Sequence, residues 1–344
     1  MKKQILILVC LVMVTFATTS VFGQAGHVSA PEAAPTCPND ALHPFAGKPY
    51  DYTVSSDGTG AKYTWWATTN QSFITAGVLQ NTGANVLVTP DAVPTTAANY
   101  NTSGGSASPT IQLTWGTNVL AAAMDLTTPV PAFVSVYTAG TSCSDNIKVF
   151  QVEPVNGFTV DIKNVINTSL ATTLAYGAAE VQCFDKVKGA SWATNHMIYN
   201  YGTNVLVFEV VAANFSGTWT PTFTLSGVDA AQNATMVWDY TTAFGAPVSV
   251  ASGVVSGTPV STTVTNTSIG VSIFVKVTIL NQTFEGTSNL PISLGVTGTN
   301  SAGQRDVLAT TCLDATLASN TAVQTLNKRP IITNSTVVGT FEMP

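Results

Sequence analysis

The chain has 344 residues, 45 % hydrophobic and only 9 % charged, with a formal net charge of −6 at pH 7. That combination excludes a disordered chain, which pairs low hydrophobicity with high charge. It also excludes a nucleic-acid binder, which needs clustered Lys or Arg along a phosphate backbone.

The amino terminus reads as a secretory signal over residues 1–23. Lys2 and Lys3 form a basic start, Ile5 to Ala17 an apolar run, and Val21 and Gly23 the small residues before a cleavage point after Gly23. The apolar run is too short to span a bilayer. Cys10 lies inside it and leaves with the signal. No later stretch is long and apolar, so the mature chain is expected to be exported, without a membrane span. It would keep ten basic against eighteen acidic residues, a net of −8. Residues 24–36, rich in Ala and Pro, read as a flexible leader.

From residue 37 to 155 apolar–polar alternation marks strands. In PYDYTVSS, Tyr50, Tyr52 and Val54 share one face and Asp51, Thr53 and Ser55 the other. SDGTG is turn chemistry, and KYTWWAT returns as the next strand. Neighbours on a strand face opposite ways, so Tyr63, Trp65 and Ala67 share one face and Thr64, Trp66 and Thr68 the other. Tyr63 and Trp65 match the apolar face of the preceding strand and are expected in the core. Trp66, between threonines, is the candidate for a ligand or an interface, with burial by protein the favoured reading. ANVLVTP, TIQLTWG, AFVSVYTAG and NIKVFQVEP follow, the last two as a hairpin around TAGTSCSDN.

Residues 156–314 repeat the pattern in GFTVDIKNV, AEVQCFDKV, NHMIYNYG, NVLVFEVVAANF, TPTFTLSGV, ATMVWDYTT, SIFVKVTILNQT and PISLGVTGT. These spacings predict a second β-sandwich. Trp115, Trp192, Trp219 and Trp238 are expected mostly in cores. ATLASNTA, around Leu317, could form a helical turn or two, and residues 315–344 read as an extended carboxy-terminal segment. A G-x-N-V-L core recurs at Gly83, Gly116 and Gly202 at unequal intervals. It reads as a turn that feeds a strand.

Chemistry-bearing residues are sparse. His27, His43 and His196 have no second ligand at local spacing, and structural histidines are the expected reading. No nucleophile elbow, zinc helix or phosphate loop occurs. Glu209, Asp229 and Asp239 are the acids in the middle of the second domain, expected at solvated strand ends. SSDGTG and TSCSDN lack calcium-loop spacing. No catalytic residue, metal or cofactor is expected. Cys37, Cys143, Cys183 and Cys312 suit disulfides in an exported chain, and four cysteines allow three pairings.

Cys37-Pro38, the Tyr63-Thr64-Trp65 strand and the closing Cys143-Ser144-Asp145 step resemble the PKD-like and immunoglobulin-like domains of secreted and surface proteins of Bacteroidota-type bacteria. The resemblance covers about Cys37 to Pro154. It implies an all-β chain of two immunoglobulin-like (PKD-like) antiparallel β-sandwich domains and a Cys37–Cys143 bridge, which would leave Cys183 to Cys312. The expected function is a non-enzymatic, exported structural or adhesive protein at the cell surface. Self-association through edge strands or Pro330 to Pro344, or contact with other surface proteins, would carry it. The alternatives are a carbohydrate-binding module that stacks glycans on Trp66 and, third, an extracellular hydrolase.

Overall fold

A computed structural model describes residues 40–58, 60–119, 131–140, 145–153, 155–165, 176–177, 180–215, 217–254, 259–264, 271–306 and 320–332. The signal, the leader, Cys37, Cys143, Cys312 and most of Pro330 to Pro344 lie outside these residues. The first part holds β1 (Pro49–Thr53), β2 (Lys62–Thr68), β3 (Ile74–Thr75), β4 (Val78–Leu79), β5 (Val86–Leu87), β6 (Ala92–Pro94), β7 (Thr110–Trp115), β8 (Ala132–Ala139) and β9 (Asn146–Val152). They form sheets in the orders β1-β7-β6 and β5-β2-β8-β9, with β3 and β4 a separate small hairpin.

The strand alternation sets what the first two sheets bury. Tyr50 and Tyr52 of β1 and Ile111 and Leu113 of β7 meet Tyr63 and Trp65 of β2 and Val134 and Val136 of β8 in one apolar cluster. The polar ends of the aromatics are satisfied there. Trp65 Nε1 donates to Ser108 O at 3.2 Å, Trp115 Nε1 donates to Tyr52 Oη at 3.0 Å, and Tyr52 Oη donates to Ala41 O at 2.6 Å. Burial pushes the Tyr52 hydroxyl well above its usual range, so it stays protonated as a donor.

Trp66 corrects the idea of an exposed stacking platform. It is fully buried, although it points away from the core that holds Trp65. Its face is covered. The cross-strand register places Thr64, Trp66 and Thr68 beside Tyr137, Ser135 and Phe133. Phe73, in the segment after β2, packs edge-on against Phe133 at 5.2 Å. Thr68 Oγ1 and Thr69 N both donate to Asn85 O, which draws that segment back onto the strand. Trp66 Nε1 and the Ser135 hydroxyl are buried without a hydrogen-bond partner, so packing alone holds them.

The second part contains β10 (Thr159–Val165), β11 (Tyr176–Gly177), β12 (Glu180–Cys183), β13 (Gly189–Ala193), β14 (His196–Asn200), β15 (Thr203–Ala213), β16 (Trp219–Ser226), β17 (Asn233–Asp239), β18 (Val248–Val254), β19 (Pro259–Ser261), β20 (Val271–Leu280), β21 (Leu290–Asn300) and β22 (Asn320–Asn327). One sheet runs β11-β10-β15-β20-β17-β18 and the other β12-β22-β21-β16-β19. Phe208, Val210, Ile273, Val275 and Met236 from the first meet Trp219, Phe223, Leu294 and Leu326 from the second in the largest apolar cluster. β15 carries apolar residues on both faces, because on its outer side Val207 packs with Val165, Phe244 and Phe274.

One boundary and one motif differ from the sequence reading. The second sandwich does not end at residue 314: β22 lies inside a sheet, antiparallel to β21 and parallel to β12. Its alternation is hidden by Gln324, which is buried in strand register and donates to Val207 O at 2.8 Å. The repeated G-x-N-V-L also splits. Gly83 (φ +97°) and Gly202 (φ +76°) precede β5 and β15 as turns, whereas residues 117–119 after Gly116 are helical.

The unpartnered pair on β2 and β8 makes an opposed prediction. Trp66→Ala should cost about 3–5 kcal/mol through the cavity it leaves. Ser135→Ala should instead stabilise by about 1 kcal/mol, because a buried hydroxyl without an acceptor is removed. Urea unfolding of the mature chain reads both, and a destabilised Ser135→Ala would show that the hydroxyl is paired.

Candidate functional site

The residues singled out in the sequence do not converge. Glu209 is fully buried on β15 and accepts a hydrogen bond from the Ser272 hydroxyl. Asp239 receives Thr241 N and Ala246 N after β17, and Asp229 receives Ala231 N in the turn before β17. The three acids therefore serve three separate places. His43 Nδ1 lies 2.9 Å from Asp40 Oδ1, and its Nε2 lies 3.6 Å from Glu153 Oε2. That arrangement ties the first loop to the end of β9. The hydrogen bond from His43 holds the Asp40 carboxyl below its ordinary value. Among the described residues no three His, Cys, Asp or Glu side chains cluster as metal ligands. Cys183 is an exposed free thiol at the end of β12.

The feature that stands apart is the β13–β14 hairpin. Among the described residues it pairs only with itself, in the register Gly189↔Asn200, Ala190↔Tyr199, Ser191↔Ile198, Trp192↔Met197 and Ala193↔His196. Cross-strand partners share a face. Trp192, Met197 and Tyr199 therefore line one face, continued by Tyr201, and Ile198 lies on the other with Ser191 and His196. Trp192 is 67 % exposed, Met197 40 %, Ile198 47 % and Tyr199 41 %. This corrects the reading of Trp192 as a core residue; the other three, Trp115, Trp219 and Trp238, are buried. The turn is Thr194-Asn195, with Thr194 at φ +51°, a conformation that β-branched residues rarely adopt.

The hairpin is free at its tip and fixed at its root. Tyr199 and Tyr201 stack at 5.6 Å with 19° between their planes. The Arg329 guanidinium, just past β22, sits 5.0 Å over the Tyr201 ring and 5.1 Å over Phe184. It donates to the backbone carbonyls of Asp185, Tyr201 (2.7 Å) and Glu285. Desolvation lowers the Arg329 pKa below its ordinary value. Asp185 receives Thr203 N at 2.9 Å and Lys186 N at 2.8 Å and pairs with Lys188 Nζ at 3.2 Å. Gly202 is required beside it: a Cβ there would lie 2.4 Å from Asp185 Oδ2. Behind this, Asn281 Nδ2 donates to Asn204 Oδ1 and to Tyr201 O, and receives Gln232 Nε2 on its own Oδ1. A cleft of about 320 Å³ lies at the root, lined by Gln182, Cys183, Asp185, Asn204 and Val205.

No family model and no curated protein sequence matches the chain. Among solved structures it is similar to the major pilin subunit BcpA of Bacillus cereus, at 9 % identity and a TM-score of 0.30. That match covers 64 % of this chain and 59 % of that one, so the chain spans less than two thirds of the pilin's length. It is also similar to CfaE, the adhesive subunit of the CFA/I fimbria of enterotoxigenic Escherichia coli, at 8 % identity over 82 % of this chain and 84 % of that one, TM-score 0.27. A third is the major pilin SpaD of Corynebacterium diphtheriae, at 8 % identity over 76 % and 61 %, TM-score 0.26. At these values the likenesses say nothing of this chain's role.

The root makes a pH prediction. Its hydrogen bond from Thr203 N, with Lys188 and Lys186 N, lowers the Asp185 pKa from the ordinary 3.8. A lowered folded value means stability that is present above 3.8 and lost as pH falls through the folded value. Asp185→Asn should therefore weaken the chain at neutral pH by about 1 kcal/mol, the scale of one hydrogen-bonded, partly exposed carboxylate. The difference between variant and wild type should vanish once the wild-type carboxylate is protonated. Denaturant midpoints measured from pH 7 to pH 2 read it, and a pH-independent difference would contradict the assignment.

Proposed function

We propose that the chain is a non-enzymatic, exported structural or adhesive protein of the cell surface, and that its contact element is the β13–β14 hairpin. The observation that carries this reading is the face of Trp192, Met197 and Tyr199, held in water outside both sandwiches. Large exposed apolar groups gathered on one rigid element mark interaction sites, and Trp and Tyr are the residues that anchor such contacts. The surrounding scaffold suits the task. Two β-sandwiches with few charges give a stiff support, and the signal sequence would send it outside the cell. Kinship with PKD-like domains of secreted Bacteroidota-type proteins, read from Cys37-Pro38, Tyr63 to Trp65 and Cys143 to Asp145, belongs to the same reading.

A second reading, glycan binding, moves from Trp66 to Trp192. The burial of Trp66 removes it as a platform, and the exposure of Trp192 supplies another. Sugars stack on such rings through their apolar faces.

Bacteria that display the mature chain should aggregate, or attach to a solid surface, more than bacteria displaying Trp192→Ala/Tyr199→Ala at equal level. A loss of at least tenfold in attached cells is expected, from two anchors worth about 1 kcal/mol or more each. Equal attachment by both would contradict the reading. A glycan array probed with the purified chain separates the second reading from the first.

A further inference from the structure

We infer that the partner of this hairpin is a second copy of the chain, paired edge to edge along β14 about a two-fold axis. The inference rests on the surface-contact reading and supplies its occupant.

The geometry follows from the register. A two-residue loop makes Ala193↔His196 the pair that exchanges backbone hydrogen bonds, and exchange alternates along an antiparallel ladder. Ser191↔Ile198 and Gly189↔Asn200 therefore also point inward. The backbone N–H and C=O groups of Met197 and Tyr199 point outward, away from β13. Among the described residues, no backbone hydrogen bond from another element reaches residues 190–199. The outer edge of β14 is thus an unpaired row of donors and acceptors.

Natural edge strands are usually blunted by Lys, Pro or inward charges. This one is not. From Gly189 to Gly202 the sequence GASWATNHMIYNYG has no Lys, Arg, Asp, Glu or Pro. In a mature chain with eighteen acidic against ten basic residues, two copies repel on net. The hairpin is a place where they meet without opposing like charges.

An antiparallel edge is self-complementary: a two-fold axis beside Ile198 sets Met197 of one copy opposite Tyr199 of the other. Both residues lie on the Trp192 face, so the four strands would carry one continuous row of Trp192, Met197 and the second copy's Tyr199. Thioether–aromatic contact favours that neighbour. Pairing along β13 about the equivalent axis, beside Ser191, would set Trp192 against Ala190, a poorer match. The exposed Ile198 residues would meet each other on the opposite face, as a non-exchanging pair with Cα atoms about 4.5 Å apart.

Sedimentation velocity of the mature chain over a concentration series tests this. Wild type should show a concentration-dependent dimer, and Ile198→Lys, which opposes two charges on the axis, should raise the dimer dissociation constant at least tenfold with the unfolding midpoint unchanged. A second measurement does not depend on that variant: in a Cys183→Ser background, Ile198→Cys should form a covalent dimer under mild oxidation and Ser191→Cys should not. A chain that stays monomeric, an Ile198→Lys dimer as tight as wild type, or equal cross-linking from both cysteines would overturn the inference. Displayed cells distinguish it from the reading beneath it. If Ile198→Lys adheres normally while Trp192→Ala/Tyr199→Ala does not, self-pairing fails and surface contact stands. If neither variant changes adhesion, both fail.

Discussion

One cation holds the root of the β13–β14 hairpin together. Arg329 follows β22, the last described strand, yet its guanidinium reaches three carbonyls from three other places: Asp185 after β12, Tyr201 before β15 and Glu285 in the loop between β20 and β21. Its flat faces lie over Tyr201 and Phe184. A planar group with five donors can do this, and a lysine cannot. The hairpin hangs from two of the tied segments. Its position therefore depends on β22 being in the sheet, where pairing with β21 and β12 and the Gln324 bond to Val207 O hold it.

The scaffold behind that point was legible where one physical rule dominated. Strict alternation in PYDYT and TPTFT placed β1 and β16 because each has one buried and one wetter face. An apolar run placed β15, whose two faces are largely buried, and alternation placed β20, whose outer face carries Ser272, Lys276 and Thr278. β22 was not legible, because a buried amide at Gln324 breaks the apolar count that alternation relies on. β13 was not, because GASWA has small residues on a strand with no core beneath it, and its Thr194-Asn195 turn lacks the glycine that signals a hairpin.

The tryptophans show the limit most clearly. Alternation separated Trp65 from Trp66 correctly as geometry, but it cannot say what lies across from either face. Trp66 is fully buried on a face where the segment after β2 also folds back, with Phe73 against Phe133, a tertiary fact with no local trace. Trp192 had the opposite fate. Its exposure follows from the hairpin pairing with no third strand, and the nearest sequence signal was the uncharged stretch from Gly189 to Gly202 lying just after Lys186 and Lys188. In a chain with so few charges, that stretch did not stand out by composition.

The hairpin is a separate two-stranded element whose placement is set by Arg329 at its root. Hydrogen–deuterium exchange of the mature chain, wild type against Arg329→Ala, tests it most directly. The account predicts faster exchange at the inward amides of Ser191, Ala193, His196 and Ile198 in the variant, while the amides of β15, β20 and β21 stay protected. Unchanged exchange in the hairpin, or loss of protection throughout the second sandwich, would contradict it.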